Sequence, residues 1–188
     1  MARNDAEGRQ LTVGDAMNLS RRLRLAVLLL ALTCTVGCDQ VTKHVARVRL
    51  REGLIVALPG GLGELWLAEN PGAFLSLGAA LPPAVRTGVF TIGTGAGLIA
   101  LAIYLVARAR WSRWTFFGLA SVTAGGVSNL IDRVTQAGLV TDFITLRLGP
   151  LHTGVFNVAD MMVMAGMGLL VLAQWQARTA PRAVASVS

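Results

Sequence analysis

Four apolar stretches separated by polar segments dominate the chain. They cover residues 23–43, 86–107, 114–132 and 155–177, and each of the last three holds a single charged residue. About 20 apolar residues are enough for a helix to cross the ~30 Å hydrocarbon core of a bilayer. The pattern therefore predicts a mainly α-helical membrane protein built as a four-transmembrane-helix bundle, within a single membrane domain at residues 21–178.

Residues 44–84 follow a different pattern. Two short apolar runs, at residues 54–58 and 62–67, flank the turn-forming sequence Pro59-Gly60-Gly61. Short apolar runs on either side of a Pro-Gly turn are typical of paired strands. We expect a small β-rich lobe outside the membrane here, and an extramembrane loop at residues 134–154.

Composition and charge support a membrane protein and indicate its orientation. The chain is 54% hydrophobic and 14% charged, whereas a soluble domain is about a quarter charged. Its net charge of +7 could indicate nucleic-acid binding, but the apolar excess leaves little room for a basic surface stripe, so we expect no nucleic-acid partner. Placing the polar tails, residues 1–20 and 179–188, in the cytoplasm puts ten of the 17 Lys and Arg residues inside, including the whole basic loop 108–113. The lobe and the loop 134–154 then face outward.

The first apolar stretch has two interpretations. Its basic start, its 13 uncharged residues and the sequence Thr35-Val36-Gly37-Cys38 are similar to a cleavable signal peptide, which would make the chain itself a lipoprotein cut before Cys38. We favour a retained first helix, because Thr35 stands where a lipobox usually has Leu. Cys34 and Cys38 have no further cysteine to pair with, so neither a disulfide framework nor a zinc site is indicated.

Polar residues in and beside the predicted helices all fall at the outward ends. Charges at membrane depth are costly and usually face a site, a partner or a cavity. Helical spacing places Asn129, Asp132 and Arg133 on one face, and Asn157 with Asp160 on another. We expect these polar residues to converge: Asp39, Lys43, Asn129, Asp132, Arg133, Asp142, Asn157 and Asp160.

Two carboxylates at one site suggest aspartyl-protease chemistry. Close carboxylates do not ionise together easily, so one keeps its proton near neutral pH while the other activates water. This chemistry needs no metal or cofactor, and we expect neither. Structural roles compete with it, because Asp39 and Lys43 have the spacing of a helical ion pair and the asparagines could join helices by hydrogen bonds.

Five segments of the chain resemble lipoprotein signal peptidase (signal peptidase II), a family of bacterial intramembrane aspartyl proteases. The second segment has one residue fewer than the family's Asn-x-Gly-x-Ala-Phe pattern, and Pro71 follows its Asn70. The segments occur in the family's order: Asp39–Lys43, Asn70–Phe74, Gly126–Arg133, Val140–Ile144 and Phe156–Asp160.

The resemblance implies roles for individual residues. The catalytic dyad would be Asp142 and Asp160. Residues that position the substrate or the dyad would be Asn70, Gly72, Asn129, Arg133 and Asn157. Residues that support the site would be Asp39, Lys43 and Asp132.

The resemblance also implies a substrate, a fold and a location. The substrate would be a prolipoprotein whose lipobox Cys carries diacylglycerol, and cleavage would fall just before that Cys. The fold would be four transmembrane helices with a periplasmic β-cradle, as a monomer in the bacterial inner membrane in contact with membrane lipid. Both termini would be cytoplasmic, the active site would face the periplasm, and globomycin-like peptides would inhibit the enzyme.

Two other classes of protein are alternatives to the peptidase. A small transporter or proton-relay protein would also use intramembrane carboxylates, but it usually has polar residues at mid-bilayer and inverted repeats. An assembly subunit would use the Gly93-xxx-Gly97 pair, which we expect instead to allow close helix packing within the bundle.

Overall fold

Helices account for most of the chain. The computed structural model describes residues 16–17, 19–51, 53–73, 77–108 and 110–179, so Phe74 and most of both predicted tails lie outside the described part. The helices are α1 (Arg21–Arg49), α2 (Pro83–Arg86), a π-helical segment (Thr87–Gly93), α3 (Thr94–Ala107), α4 (Arg113–Thr135) and α5 (Val158–Thr179). The π-helical segment joins α2 to α3, so residues Pro83–Ala107 form one continuous helix.

Helix α1 begins at a side-chain cap and extends beyond the predicted membrane stretch. The Ser20 hydroxyl accepts a hydrogen bond from the backbone N–H of Leu23 at 3.3 Å, which satisfies one of the free donors of the first turn. The prediction ended the helix at residue 43, but residues 44–49 are also helical. They contain no Gly or Pro. The positive charges of Arg47 and Arg49 in the last turn interact favourably with the negative end of the helix dipole.

Helices α4 and α5 approach each other through glycines. A Cβ atom on Gly166 would lie 2.6 Å from the carbonyl oxygen of Gly118, and one on Gly125 would lie 2.4 Å from that of Ala159. The prediction that helices pack closely at Gly93 and Gly97 is wrong, because a Cβ on Gly97 would have no neighbour within 4 Å. The close α4–α5 contact instead brings the C-terminal half of α4 beside the start of α5.

A small antiparallel sheet lies against α1 and α4. Strands β2 (Val56–Ala57) and β3 (Gly63–Asn70) lie on either side of the Pro59–Gly61 turn, which confirms the two predicted strands. The sheet continues in β5 (Val140–Leu148) and β6 (Leu151–His152), in the order β2-β3-β5-β6. A separate pair joins β1 (Ala16–Met17) to β4 (Trp111–Ser112).

The expectation of a loop at residues 134–154 is therefore wrong for most of that segment. Val140–Leu148 is rich in β-branched and aromatic residues, and Gly149-Pro150 provides a turn before β6. Strand β5 pairs along β3, with Asp142 opposite Ala68 and Val140 opposite Asn70. This pairing holds Asp142 on a rigid strand beside the helices.

Among the described residues, three helices are long and apolar enough to cross a membrane: α1, the continuous Pro83–Ala107 helix and α5. Their outer faces expose apolar side chains such as Leu30, Ile92 and Val171, each more than 60% exposed. Helix α4 is 23 residues long and packs against α1, α3 and α5. The fold is a mainly helical membrane protein with a small antiparallel sheet, as the sequence predicted.

Candidate active site

Asp142 and Asp160 approach the same point from two different elements. Asp142 lies on β5, and Asp160 lies in the first turn of α5. Just before α5, Phe156 pairs with β5, since the backbone N–H groups of Phe143 and Ile144 both donate to its carbonyl oxygen, at 3.1 and 2.9 Å. This pairing fixes the start of α5 against the strand that carries Asp142.

Asn157 joins the two carboxyl groups. Its Nδ2 donates to Oδ1 of Asp142 at 2.7 Å, and its backbone N–H donates to Oδ2 of Asp160 at 3.2 Å. Its own Oδ1 accepts from the backbone N–H of Asp160 at 2.9 Å, which caps α5. One asparagine therefore starts the helix and contacts both aspartates.

Asn129 and Asn70 donate further hydrogen bonds to the two aspartates. Nδ2 of Asn129 donates to Oδ1 of Asp160 at 2.9 Å, and Nδ2 of Asn70 donates to Oδ2 of Asp142 at 2.9 Å. Asn70 is held by its own turn, because its Oδ1 accepts the backbone N–H of Gly72 at 2.9 Å. The unusual Pro71 after Asn70 therefore still allows the side chain to reach the site.

Burial perturbs the ionisation of the strand aspartate. Asp142 is 2% exposed and Asp160 is 8% exposed. Burial, with the negative charge of Asp160 acting in the same direction, raises the pKa of Asp142 to about 6, although hydrogen bonds from Asn70 and Asn157 oppose the shift. Asp142 therefore changes its protonation state closer to neutral pH than an exposed aspartate does.

Comparison with known proteins decides the family. The sequence model of the family described as Signal peptidase (SPase) II matches residues 31–176. The chain belongs to the signal peptidase II family. It is thus an aspartic-type peptidase of lipoprotein processing, and the predicted family is confirmed.

Relatives that share this family cover most of the chain. A lipoprotein signal peptidase of Desulforapulum autotrophicum is 37% identical over 157 residues, which are 82% of this chain and 93% of that protein. One of Streptococcus thermophilus is 34% identical over 158 residues, 83% of this chain and 95% of that protein. One of Leifsonia xyli subsp. xyli is 34% identical over 154 residues, 79% of this chain and 66% of that protein.

Two solved structures share the fold. A bacterial membrane enzyme determined by the in meso method at 2.3 Å resolution superposes with a TM-score of 0.73, at 24% identity, over 87% of this chain and 96% of that chain. Another, at 1.9 Å resolution, gives a TM-score of 0.69 at 25% identity over 80% of this chain and 93% of that chain. Family membership speaks against the transporter and assembly-subunit alternatives.

Arg133 lies at the edge of the aspartate pair in this peptidase. Its Nη2 donates to the carbonyl oxygen of Gly72 at 2.8 Å, and its Nη1 donates to that of Asn129 at 3.4 Å. The buried Nε has no hydrogen-bond partner among the described residues. Arg133 therefore joins α4 to the turn that holds Asn70.

A buried ion triad lies behind the aspartate pair. Nζ of Lys43 lies 2.7 Å from Oδ2 of Asp39 and 2.9 Å from Oδ2 of Asp132, and all three side chains are fully buried. Two residues that sequence reasoning missed complete the triad's contacts. Gln40 donates to Oδ1 of Asp132 at 2.8 Å, and the Ser128 hydroxyl donates to Oδ2 of Asp39 at 2.7 Å. Both lie inside the segments that carry the family resemblance, next to residues that were singled out.

The described part of the structure brings all ten residues singled out from the sequence into one connected cluster. Across the described ranges no group of three or more His, Cys, Asp or Glu side chains is arranged to hold a metal ion. The members of the cluster, connected by the hydrogen bonds and ion pairs given above, are Asp39, Lys43, Asn70, Gly72, Asn129, Asp132, Arg133, Asp142, Asn157 and Asp160.

Proposed function

We propose that the chain is an intramembrane aspartyl endopeptidase that removes signal peptides from diacylglyceryl-modified prolipoproteins, with Asp142 and Asp160 as its catalytic dyad. The observation that carries the proposal is the contact of one residue, Asn157, with both buried carboxyl groups. Family membership and the names of the relatives, which are lipoprotein signal peptidases, support the substrate class.

The dyad would act by general acid–base catalysis. The ionised carboxylate takes a proton from a water molecule, and the water oxygen attacks the carbonyl carbon of the scissile peptide bond. The protonated carboxyl donates to the carbonyl oxygen and stabilises the tetrahedral intermediate. A proton then passes to the leaving amine nitrogen, the C–N bond breaks, and the dyad returns to one proton. The pKa of Asp142, about 6, supports a shared proton near neutral pH.

Substrate positioning would fall to the residues around the dyad. Asn70 and Gly72 form a tight turn whose backbone lies next to Asp142, and Arg133 holds that turn through the carbonyl oxygen of Gly72. Cleavage would fall just before the lipidated Cys, whose acyl chains remain in the outer leaflet.

In the membrane, the proposed arrangement has α4 as a fourth span beside the three apolar helices. Packing of α4 against α1, α3 and α5 supports this arrangement, as does its length of 23 residues. Arg108, Arg110 and Arg113 would then lie in the cytoplasm with both termini, and the aspartate pair would face the periplasm. The enzyme would work as a monomer in the bacterial inner membrane, in contact with lipid, without cofactor, and be inhibited by globomycin-like peptides.

Purified protein in detergent micelles provides the direct test. A diacylglyceryl-modified prolipoprotein is incubated with wild type, Asp142→Asn and Asp160→Asn, and the released signal peptide is measured by mass spectrometry. Glu64→Gln, a change of a partly exposed carboxylate on β3, serves as the control and should cleave normally. We expect cleavage before the lipidated Cys by wild type and none by either dyad variant. Normal cleavage by either variant would rule out the dyad.

A further inference from the structure

The ion triad of Asp39, Lys43 and Asp132 accepts hydrogen bonds from the backbone at two positions, and each position is one residue before a proposed catalytic aspartate. Oδ1 of Asp39 accepts the backbone N–H of Ala159 at 2.8 Å, and Ala159 precedes Asp160. Oδ2 of Asp132 accepts the backbone N–H of Thr141 at 3.1 Å, and Thr141 precedes Asp142. Each triad carboxylate therefore holds the backbone beside one member of the dyad.

Lys43 connects these two holding points. Its ammonium group has three N–H donors, and three oxygen atoms surround it: Oδ2 of Asp39 at 2.7 Å, Oδ2 of Asp132 at 2.9 Å and Oδ1 of Asn129 at 2.9 Å. The contact with Asn129 also orients its amide. Because Oδ1 faces Lys43, Nδ2 is left to donate to Asp160 at 2.9 Å.

The alternative role for such a triad is plain stabilisation of the fold. Buried ion pairs often contribute little net stability compared with well-packed apolar residues, so stability alone explains the arrangement poorly. The contacts are also specific. The triad reaches α5 through Asp39 and β5 through Asp132, and these two elements carry the dyad.

We propose that Lys43 is a positioning residue that sets the separation of Asp142 and Asp160 and the orientation of the Asn129 amide. The inference rests on the proposed dyad. Lys43 itself contacts neither Asp142 nor Asp160 by an ion pair in the described structure, so it acts through Asp39, Asp132 and Asn129.

A lower kcat per folded molecule distinguishes positioning from a general loss of folded enzyme, because misfolding lowers only the number of active molecules. Lys43→Met keeps a side chain of similar length but removes the ammonium group. We expect kcat per folded molecule to fall about 10²-fold, because a displacement of about 1 Å at a catalytic group has effects of that size. The KM for the diacylglyceryl prolipoprotein should change by less than about threefold. Val41→Ala, at a position on α1 that is 63% exposed, is the control and should match wild type.

A double-mutant cycle tests the connection to Asn129. If Lys43 acts partly through the Asn129 amide, Lys43→Met should lower kcat clearly less in an Asn129→Ala background than in wild type. If the fall in kcat of the double variant equals the product of the two single falls, Asn129 is not part of the proposal. An unchanged kcat in folded Lys43→Met would overturn the proposal as a whole.

A second pair of variants applies where Lys43→Met does not fold. Asp132→Asn keeps an oxygen that can accept the Thr141 N–H, whereas Asp132→Ala does not. We expect Asp132→Asn to recover at least about a tenth of wild-type kcat and Asp132→Ala to lose about 10²-fold, a loss of the size expected from misplacing a catalytic group. Equal kcat values in the two variants would overturn the proposal. If wild type fails to cleave, or Asp142→Asn still cleaves, the proposed function fails instead, so the two failures are distinguishable.

Discussion

The side-chain amide of Asn157 donates to Oδ1 of Asp142 over 2.7 Å, although the two residues lie on different elements. The same side chain accepts the backbone N–H of Asp160 through its Oδ1 at 2.9 Å. Capping of α5 and contact with the strand carboxyl are thus two separate tasks of one side chain. Substitutions that keep one task and remove the other can separate them.

Asn157→Ala and Asn157→Ser should have different effects on stability and similar effects on activity. Serine caps a helix about as well as asparagine, and alanine costs about 1 kcal/mol at a cap. Neither replacement can donate to Asp142, so kcat should fall about 10²-fold in both, a size typical for a lost oriented donor. We expect a lower Tm in detergent only for Asn157→Ala. Serine restoring kcat as well as Tm would show that capping alone explains the residue.

The raised pKa of Asp142 makes stability depend on pH. Its unperturbed pKa is 3.8 and burial raises it to about 6 in the folded protein, so the folded state holds the proton more tightly than the unfolded state. The contribution is therefore greatest below about pH 4, falls as the pH rises to about 6, and is constant above. A shift of this size corresponds to at most about 3 kcal/mol.

Comparison of wild type with Asp142→Asn isolates this contribution. Thermal unfolding in detergent between pH 4 and pH 8 should show wild type losing Tm relative to the variant as the pH rises. Titrating groups that do not interact with Asp142 are common to both proteins and cancel in the difference, whereas Asp160, whose charge acts on Asp142, contributes to it. If the Tm difference between wild type and Asp142→Asn stays constant, or if wild type gains Tm relative to the variant as the pH rises, the raised pKa of Asp142 is contradicted.

Two glycines on α5 predict opposite responses to the same substitution. A Cβ on Gly166 would lie 2.6 Å from the backbone oxygen of Gly118, whereas a Cβ on Gly168 would meet nothing within 4 Å. Gly166→Ala should destabilise by about 1–3 kcal/mol through overpacking. Gly168→Ala should be neutral or stabilise by up to about 1 kcal/mol, because alanine favours the helix. The Tm values of the two variants check this, and a lower Tm for Gly168→Ala alone would reverse the assignment of the packed face.

Arg133 should affect substrate binding more than the chemical step. Its Nη2 donates to the carbonyl oxygen of Gly72 at 2.8 Å, in the turn that we propose to position the substrate. Arg133→Lys keeps the charge but loses the planar set of donors. One lost charged hydrogen bond corresponds to about a tenfold rise in KM. Steady-state kinetics with the diacylglyceryl prolipoprotein should give that rise with a smaller change in kcat. A fall in kcat at constant KM would show that Arg133 acts in the chemical step and not in substrate binding.

Much of the fold and site was predictable because the relevant patterns are local. Apolar stretches predicted the positions of the helices, and the spacing of Asn129 with Asp132 and of Asn157 with Asp160 predicted shared faces. The strand β5 was missed because its residues lie between two helices and their pairing partner, β3, is about 70 residues earlier. Long-range pairing of this kind leaves no signal in local spacing.

Local sequence patterns also do not predict which faces of the helices pack together. Gly93 and Gly97 have the spacing of a packing motif, yet the close contact forms at Gly118, Gly125 and Gly166. Small residues permit close approach on any face, and only the arrangement of the other helices decides which face is used. The hydrogen bond from the Ala159 backbone N–H in the first turn of α5 to Asp39 of α1 is likewise a tertiary contact that local spacing does not predict.

Two ion pairs of similar length should differ widely in their effect on stability. Arg147 and Glu64 lie 2.9 Å apart on the sheet but are 50% and 28% exposed, whereas Asp39 and Lys43 lie 2.7 Å apart and are fully buried. An exposed pair contributes at most about 1 kcal/mol, so Arg147→Ala should leave the Tm almost unchanged. Asp39→Ala leaves Lys43 paired with Asp132 but removes the acceptor of the Ser128 hydroxyl and of the Ala159 backbone N–H. Each buried donor left without a partner costs about 1–3 kcal/mol, so Asp39→Ala should lower the Tm strongly. Thermal unfolding of both variants at low and high salt tests the contrast, and equal losses of Tm would contradict it.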